Sequence, residues 1–375
     1  MNHPKVVSVE SILVNLPTIR AHQLAMTVMN VQTLVIVRLR CSDDMEGLGE
    51  ATTIGGLSYG EESPEGIKLS IDKYLAPALI GMDATNIHAA MKKLDYVAKG
   101  NSFAKSAMET ALLDAQGKRL GVSVATLLGG AVRDSLPVLW TLASGDTQRD
   151  IAEAESLLES RRHNTFKLKI GRRSLQADVD HVCTIKQALG NRARVTVDVN
   201  QAWNEAEAAG GIAQFEAAGV DLIEQPLPRE HRAGMARLAA RFVVPIMADE
   251  AVRGPEDALE IAKLGAADVL ALKIAKSGGL HGLIRTAAVG DAAGMSLYGG
   301  TMLEGSIGSV ASAHVFATLP RLAWGTELFG PLLLKDDIVV QRPEFKEFAM
   351  TLPTLPGLGL ELDEDKLRHY RRADA

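Results

Sequence analysis

The chain has 375 residues, of which 47% are hydrophobic, and a formal net charge of −6. That length and composition allow a sizeable core and predict two domains, or one barrel with an addition. The acidic balance is not that of a nucleic-acid binder, which usually carries a basic patch, and no apolar run reaches the roughly 18 residues that span a bilayer. Two cysteines, Cys41 and Cys183, are too few for a disulfide framework. With no signal-peptide pattern at the N-terminus, the sequence predicts a cytoplasmic protein.

Residues 1–130 predict an α+β domain. Residues 6–16 and 33–39 have the β-branched composition of strands, whereas 52–60 has that of a loop. Helical periodicity follows over 67–80 and 87–98. A third helix is predicted to begin at an N-cap formed by Asn101-Ser102 and to end near Gly121. Within it Ala107, Ala111 and Ala115, four residues apart, form a stripe suited to close packing.

From about residue 136 short β-like runs alternate with helical segments. Strands are predicted near 138–142, 165–170, 194–199, 222–224, 245–248, 269–274, 295–298 and 322–326, and helices between them, for example over 150–162, 176–189 and 204–218. This alternation predicts parallel strands with crossover helices. Eight such strands favour a closed α/β barrel, with an open doubly wound sheet as the alternative. The domains are then 1–130 and 131–330, and the tail 331–375 is predicted to pack back on the first domain.

Charged residues interrupt these strands in a regular way. In 165–170, Lys167 and Lys169 alternate with apolar residues, so both should point into the barrel. Two buried lysines are costly unless they lie at the open end beside anions. An exposed edge strand with solvated lysines is the alternative.

The following strands each carry a charge near their ends. From Lys169 the steps to Asp198, Glu224, Asp249 and Lys273 are 29, 26, 25 and 24 residues, each about one β/α unit. Successive strands should therefore deliver these groups at equivalent depth to the C-terminal face, where active sites of such barrels lie. A single Asp after a strand is more often a helix cap, but five charges in register favour a functional ring.

The order of these charges has chemical meaning. Three carboxylates, Asp198, Glu224 and Asp249, offer the oxygen ligands that Mg²⁺ or Mn²⁺ prefers. Such a cation, bound to a substrate carboxylate, stabilises the enolate formed when the α-carbon loses a proton. A lysine on each face could move that proton. Lys167 and the metal are predicted to lower the pKa of Lys169 from its usual value of about 10.4; pairing of Lys167 with a substrate carboxylate is the alternative.

Two further segments reach the same rim. Glu327, in 324–329, is predicted to hydrogen-bond or donate a proton to the enolate carboxylate, with a solvated loop glutamate as the alternative. The glycine-rich segment 299–306 follows the seventh strand. Its backbone N–H groups could bind an anion at a helix start, or its glycines could serve only the turn.

Together these motifs resemble the enolase superfamily, in its muconate-lactonizing subgroup. The resemblance covers almost the whole chain and is carried by Lys167-Leu168-Lys169, Asp198-Val199-Asn200, Glu224-Gln225-Pro226, Asp249-Glu250, Lys273, and the segments 51–60 and 109–114. It implies a (β/α)7β modified TIM barrel with an N-terminal α+β capping domain. It also implies metal-dependent, reversible cycloisomerisation of cis,cis-muconate to muconolactone in catechol degradation, with Lys169 protonating the enolate.

The resemblance also implies roles for individual residues. Asp198, Glu224 and Asp249 hold Mn²⁺ or Mg²⁺, while Lys273 and Glu250 act mainly in electrostatics and support. The remaining residues that it implies in catalysis or substrate contact are Glu327, Lys167, Ile54, Tyr59 and Asn200. The implied substrate is a small dicarboxylate, and the implied assembly is a homo-octamer without nucleic-acid or membrane partners.

Other two-lysine enzymes share much of this set. Chloromuconate cycloisomerase, o-succinylbenzoate synthase and N-acylamino acid racemase remain alternatives, although Ala271 and Phe329 favour the non-chlorinated branch. Dipeptide epimerases resemble one another in an Asp-x-Asp pair where this chain has Ser296-Leu297-Tyr298. Mandelate-racemase-type acid dehydratases use a histidine on the seventh strand, which this sequence lacks. A non-catalytic scaffold predicts a broken charged set, and this set is intact.

Overall fold

The computed structural model describes residues 3–23 and 27–373. Its strands are β1 Val6–Gln23, β2 Val28–Cys41, β3 Glu46–Thr52, β4 Ser135–Pro137, β5 Trp140–Leu142, β6 Thr165–Lys169, β7 Arg194–Asp198, β8 Leu222–Glu224, β9 Ile246–Ala248, β10 Val269–Leu272, β11 Ser296–Gly299, β12 Phe345–Lys346 and β13 Ala349–Thr351. Its α-helices are α1 Pro64–Ser70, α2 Ala76–Leu79, α3 Ile87–Val97, α4 Ser102–Leu120, α5 Val124–Leu127, α6 Thr147–Glu159, α7 Leu175–Leu189, α8 Glu205–Ala218, α9 Arg232–Arg241, α10 Pro255–Leu264, α11 Leu280–Ala292, α12 Ser306–Thr318, α13 Gly330–Leu333 and α14 Glu364–Tyr370. A π-helical turn, Ile71–Leu75, joins α1 to α2, and a 3-10 turn, Gly190–Arg192, follows α7.

The N-terminal sheet is antiparallel, in the order β1-β2-β3, and α4 packs on β3. The two predicted strands are confirmed, whereas β3 was not predicted because its sequence is rich in glycine. Those glycines allow the helix to approach: a Cβ at Gly47 would lie 1.9 Å from the Ala111 carbonyl oxygen, and one at Gly49 would lie 2.0 Å from that of Ala107. The alanine stripe therefore packs against strand backbone, as close packing requires.

α4 begins at Ser102, as predicted, but the group that caps it differs from the prediction. Asn101 has a left-handed backbone, with φ of 53°, and its side chain makes no capping bond. Instead the carboxylate of Glu62 accepts hydrogen bonds from the N–H groups of Phe103 and Ala104, at 3.1 and 3.4 Å. Asn101 therefore occupies the predicted N-cap position, but a carboxylate from another segment, and not its own side chain, satisfies the positive end of the helix. The predicted end at Gly121 is confirmed by its left-handed φ of 69°.

The second half forms a closed barrel. Seven parallel strands, β5 to β11, are hydrogen-bonded in chain order, and helices α6 to α11 connect them. Closure comes at Thr326, which bridges both Gly299 of β11 and Val138 before β5. With α12 before it, this eighth position completes the (β/α)7β arrangement, which confirms the modified TIM barrel and contradicts the open sheet. The eighth strand is reduced to this bridge because Gly325, with φ of 66°, interrupts the extended chain.

Strand register decides which charges share a level. Lys169 pairs with Asp198, which pairs with Glu224. The next step is staggered: Glu224 pairs with Met247, so Asp249 lies two residues further along the chain. Lys273 likewise follows the end of β10. Such a stagger accompanies the tilt of strands in a closed barrel, and the predicted equal depth holds for only the first three groups.

The C-terminal tail contacts both halves of the chain. β12 and β13 extend β4 into a small antiparallel sheet. Further on, Leu358 N–H donates to Asp114 Oδ1 at 2.7 Å, and Arg372 N–H donates to Leu13 O at 2.8 Å. The division into 1–130, 131–330 and a tail remains a prediction. In the described residues, no helix is long and apolar enough to cross a membrane.

Candidate active site

Nine charged side chains meet at the C-terminal ends of the barrel strands. Five are carboxylates and four are lysines: Asp198, Glu224, Asp249, Glu250 and Glu327, with Lys167, Lys169, Lys273 and Lys276. All are buried except Lys169, whose side chain is 8% exposed. Because a buried charge is costly without a partner, the pairing within this ring determines its chemistry.

Lys167 is held between two carboxylates. Its Nζ lies 2.6 Å from Glu224 Oε2 and donates a hydrogen bond to Glu327 Oε2 at 2.9 Å. The Tyr298 hydroxyl donates to the same Glu327 oxygen at 3.2 Å. Burial alone lowers the pKa of Lys167, but the charges of Glu224 and Glu327 outweigh it and raise the pKa well above its usual value. Lys167 is therefore a fixed cation.

Lys169 pairs with Asp198 and faces a cavity. Its Nζ donates to Asp198 Oδ2 at 2.8 Å. Burial lowers the pKa of Lys169 and Lys167 acts in the same direction, as predicted, but the Asp198 carboxylate outweighs them and raises it. The predicted lowering of this pKa depends on a bound cation beside Asp198 as well as on Lys167, and it remains a prediction for the metal-bound enzyme. Lys169 also lines a cavity of about 330 Å³ with Leu142 and Arg172.

Lys273 lies four strands further round the ring and contacts the capping domain. Its Nζ is 2.7 Å from Asp249 Oδ2 and donates to the Tyr59 hydroxyl at 2.8 Å. That hydroxyl donates in turn to Asp249 Oδ2 at 2.9 Å. Burial lowers the pKa of Lys273, but Asp249 outweighs it and raises it. Tyr59, from the predicted loop 52–60, thus contacts the ring.

Lys276 is a member of the ring that sequence reasoning missed. Its Nζ donates to Asp249 Oδ1 at 2.6 Å and also to the Asp249 carbonyl oxygen. Burial and the neighbouring Lys273 lower the pKa of Lys276. Burial by itself raises the pKa of Asp249, yet the two lysines bring it far below its usual range. The sequence feature that could have identified Lys276 is its position three residues after Lys273, just past the end of the strand.

Asn200 and Glu250 form a separate pair beside the ring. Asn200 Nδ2 donates to Glu250 Oε1 at 3.2 Å. Within residues 3–23 and 27–373, Asn200 Oδ1 and Glu250 Oε2 have no hydrogen-bond partner. Burial and the charge of Asp249 raise the pKa of Glu250 to about 7. This pair therefore presents unsatisfied oxygens at the site, as a ligand-binding surface does.

Ile54 lies in the same loop as Tyr59 and is 4% exposed, within the continuous hydrophobic core. Glu327 follows directly after the barrel-closing residue Thr326, and its N–H donates to Gly299 O at 2.8 Å. That backbone bond fixes Glu327 to the end of β11. The structure thus brings Glu327 and Lys167 together, as the sequence predicted for one rim.

The three predicted metal ligands fit a hard cation by donor chemistry. Asp198, Glu224 and Asp249 follow one another on consecutive strand ends, and Glu224 Oε2, although near Lys167, makes no hydrogen bond in the described chain. Burial and repulsion from Asp198 raise the pKa of Glu224 well above its usual value, so added positive charge would be stabilised. Each carboxylate is turned toward a lysine, and no three His, Cys, Asp or Glu side chains of the described residues converge on one ion position.

For the N–H groups at the helix start after 299–306, anion binding was one of two predicted uses, and their acceptors are carboxyl groups of the chain itself. At the N-terminus of α12, Gly305 and Gly308 N–H groups donate to Glu50 at 2.6 and 2.8 Å. Ser306 N–H donates to Asp337 Oδ2 at 3.0 Å. A ligand anion at this helix start is therefore contradicted, because carboxyl oxygens of Glu50 and Asp337 already accept hydrogen bonds from these donors.

Comparisons with known proteins agree with this arrangement. The family model described as "Mandelate racemase / muconate lactonizing enzyme, N-terminal domain" matches residues 8–129, and "Enolase C-terminal domain-like" matches 149–366. The chain is 60% identical to muconate cycloisomerase 1 of Pseudomonas putida over 366 residues, covering 97% of this chain and 98% of that one. It is 44% identical to a chloromuconate cycloisomerase of Pseudomonas sp. strain P51 over 369 residues, covering 98% and 100%.

Solved structures give the same result. The muconate lactonizing enzyme from Pseudomonas fluorescens complexed with muconolactone superposes with a TM-score of 0.98 at 58% identity, covering 99% of this chain and 100% of that chain. The Pseudomonas putida muconate lactonizing enzyme gives a TM-score of 0.95 at 58% identity, covering 98% and 100%. The likeness extends through both halves of the chain.

Proposed function

Because this chain belongs to the mandelate racemase / muconate lactonizing enzyme family, we propose that it is an isomerase that converts cis,cis-muconate reversibly to muconolactone. The observation that carries the proposal is the placement of Lys169 and Lys273 on either side of three buried carboxylates. The greater identity to muconate cycloisomerases than to chloromuconate cycloisomerases supports the non-chlorinated substrate.

The reaction closes a lactone without any external reagent. An oxygen of one substrate carboxylate bonds to the far carbon of the double bond conjugated to the other carboxylate. The electron pair of that double bond moves to the α-carbon and its carboxylate, and the Lys169 ammonium delivers a proton to the α-carbon. In reverse, the Lys169 amine removes this proton and the carbon–oxygen bond breaks.

The other ring residues position charge around this step. A divalent cation bound by Asp198, Glu224 and Asp249 would supply positive charge beside the carboxylate that takes up the electrons. Lys167 keeps Glu224 and Glu327 in place. We propose that Glu327, when protonated, donates a hydrogen bond to that same substrate carboxylate.

The remaining residues support and cover the substrate. Lys273 adds positive charge on the opposite side from Lys169, and Glu250 holds Asn200 through its amide. Tyr59 and Ile54 come from the capping loop, and Tyr59 already contacts Lys273. We propose that this loop closes over bound substrate and excludes water, while Asn200 contacts the substrate directly.

The deciding experiment is an ultraviolet assay of purified protein with Mn²⁺ against cis,cis-muconate, 2-chloromuconate and N-succinyl amino acids. We expect cis,cis-muconate to have the highest kcat/KM. In Lys169→Ala, turnover should fall by about 10²-fold or more, since the proton donor is lost, while the fold persists. Lys186→Ala is the matched control, because Lys186 pairs with Asp221 away from the ring. Near-normal lactonization by Lys169→Ala, or a preference for N-succinyl amino acids, would contradict the assignment.

Metal dependence has its own test. We propose Mn²⁺ as the metal, with Mg²⁺ as the alternative. A chelator should abolish activity and Mn²⁺ should restore it, while titration calorimetry should detect Mn²⁺ binding to wild type and to Lys169→Ala. Full activity after exhaustive metal removal would exclude the cation from the reaction. The homo-octamer and the cytoplasmic location remain predictions, and sedimentation velocity would test the assembly.

A further inference from the structure

His22 is a buried histidine whose polar atoms are unused. Its side chain is fully buried on β1, opposite Met29 of β2. Within residues 3–23 and 27–373, neither Nδ1 nor Nε2 has a hydrogen-bond partner. Buried polar atoms are nearly always paired in folded proteins, and an exception needs an explanation such as a ligand. The His22 imidazole does not serve stability, because an apolar side chain would fill the same space without burying unpaired polar atoms.

The position of His22 relates it to the reaction rather than to the outer surface. Its ring centroid is 6.3 Å from that of Phe329, two residues after Glu327. Burial lowers the pKa of His22 to about 3, and the charge of Lys169 acts in the same direction. His22 is therefore neutral, within electrostatic reach of the proposed proton donor, and able to donate one N–H group.

Neighbouring groups add further unused donors. Arg20 Nη2 donates to the Thr141 carbonyl oxygen at 3.1 Å and pairs with Glu153 at 3.1 Å, whereas Arg20 Nε and Nη1 are buried without a partner in the described chain. The buried Thr141 hydroxyl is also without a partner there, and Thr141 pairs with Lys167 across β5 and β6. The unpartnered N–H groups of Arg20, the neutral N–H of His22 and the Thr141 hydroxyl are all hydrogen-bond donors, and donors of this kind bind anions.

We propose that His22, supported by Arg20, binds the substrate carboxylate that becomes the lactone. This inference rests on the proposed function, in which one carboxylate of the substrate would lie beside the cation that Asp198, Glu224 and Asp249 would hold. The other carboxylate then needs donors elsewhere. The His22 N–H holds the oxygen that does not attack and so orients the attacking oxygen toward the double bond. His22 is a specificity-determining residue in this assignment, and the proton transfer remains with Lys169.

The test compares ligands with two carboxylates and with one. Titration calorimetry of the Mn²⁺-loaded protein measures adipate, a saturated dicarboxylate, against hexanoate, which has a single carboxylate. In His22→Leu, adipate should bind about 10- to 100-fold more weakly, the loss expected for a hydrogen bond to a charged group, and hexanoate should be nearly unaffected. KM for cis,cis-muconate should rise in parallel. His22→Asn, which keeps an N–H donor, should recover most of the affinity.

The melting temperature distinguishes a ligand-binding role of His22 from a purely structural one. Since no hydrogen bond is lost, His22→Leu should keep or raise the wild-type Tm. His314→Leu is the matched control, because buried His314 Nε2 is bonded to the Leu358 carbonyl; it should lower Tm and leave adipate affinity unchanged. Equal adipate affinity in wild type and His22→Leu would overturn the assignment. It would mean that the His22 imidazole binds only water. Loss of muconate turnover by wild type, with adipate binding still dependent on His22, would contradict the proposed function alone.

Discussion

Among the ring carboxylates of the described chain, only Asp249 receives two lysines. Lys273 binds one oxygen and Lys276 binds the other. The two ammonium groups repel each other, and this repulsion together with burial lowers the pKa of Lys276. Such crowding is tolerated because all three groups are held in one hydrogen-bonded set. Lys276 therefore positions Asp249, although it comes from the turn after the strand.

Replacing Lys276 by Met keeps the aliphatic stem and removes the charge. Asp249 Oδ1 would lose its buried partner, and breaking a buried pair in this way costs about 3 kcal/mol or more. We expect a lower midpoint in urea unfolding and at least about a 10-fold loss in kcat/KM. Lys263→Met, at an exposed position on α10, should change neither quantity. Wild-type stability and turnover in Lys276→Met would mean that Lys273 alone suffices to hold Asp249.

At the scale of elements, the contact between β3 and α4 determines how the capping domain is built. The strand lies so close to the helix that its glycines meet helix carbonyl oxygens directly. A larger side chain at these glycines would clash with backbone atoms of the helix, and no change of rotamer could remove that clash. The glycines of β3 are the reason why this strand was not predicted from the sequence. They are also required for β3 to pack this closely against α4.

Gly49→Ala tests this contact. The added methyl would meet the Ala107 carbonyl oxygen at 2.0 Å, and overpacking of this severity should destabilise by about 2–3 kcal/mol or more. Gly210→Ala is the comparison, because its Cβ would meet only Leu175 Cδ2 at 3.9 Å within α8. That change should be neutral or stabilise by about 0.5–1 kcal/mol. Equal unfolding midpoints for the two variants would show that β3 can move away from α4.

At the scale of the whole molecule, Glu50 links the two halves of the chain. It lies on β3 and accepts from two N–H groups at the start of α12, across 255 residues for Gly305. Burial raises the pKa of Glu50 to about 8, and the charges of Asp337 and Glu304 act in the same direction. The contact between capping sheet and barrel therefore contains a carboxyl group that the fold keeps protonated at neutral pH.

This pKa predicts a pH dependence of stability. The folded pKa lies above the unfolded value of 4.5, so the contribution is full below the unfolded pKa and is lost as pH rises through about 8. Between pH 6 and 8.5 the free energy of unfolding should fall by about 2 kcal/mol from this group. Glu50→Gln cannot ionise and should show a smaller fall in urea unfolding at the two values. A fall as large as that of wild type would assign the dependence to other groups.

Much of this molecule follows from local pattern. The alternation of Lys167 and Lys169 with apolar neighbours indicates which side chains of the strand share a face. Charged residues spaced one β/α unit apart indicate that they reach the same end of the barrel. Both patterns are local features of the sequence, so they can be recognised without knowing the folded structure. The barrel, its strand order and the shared level of Lys169, Asp198 and Glu224 were predictable for that reason.

The rest depends on partners far apart in the chain. Lys273 meets Tyr59 across 214 residues, and His22 is recognisable only because folding leaves both its nitrogens unpaired. Nor could local pattern show that Asp198 would raise the pKa of Lys169, since that depends on a 2.8 Å contact between strands. Periodicity and spacing determined the barrel and the charged residues at its mouth. Packing decided which of those charges touch, because Coulomb and hydrogen-bond energies depend on distances that only the folded chain sets.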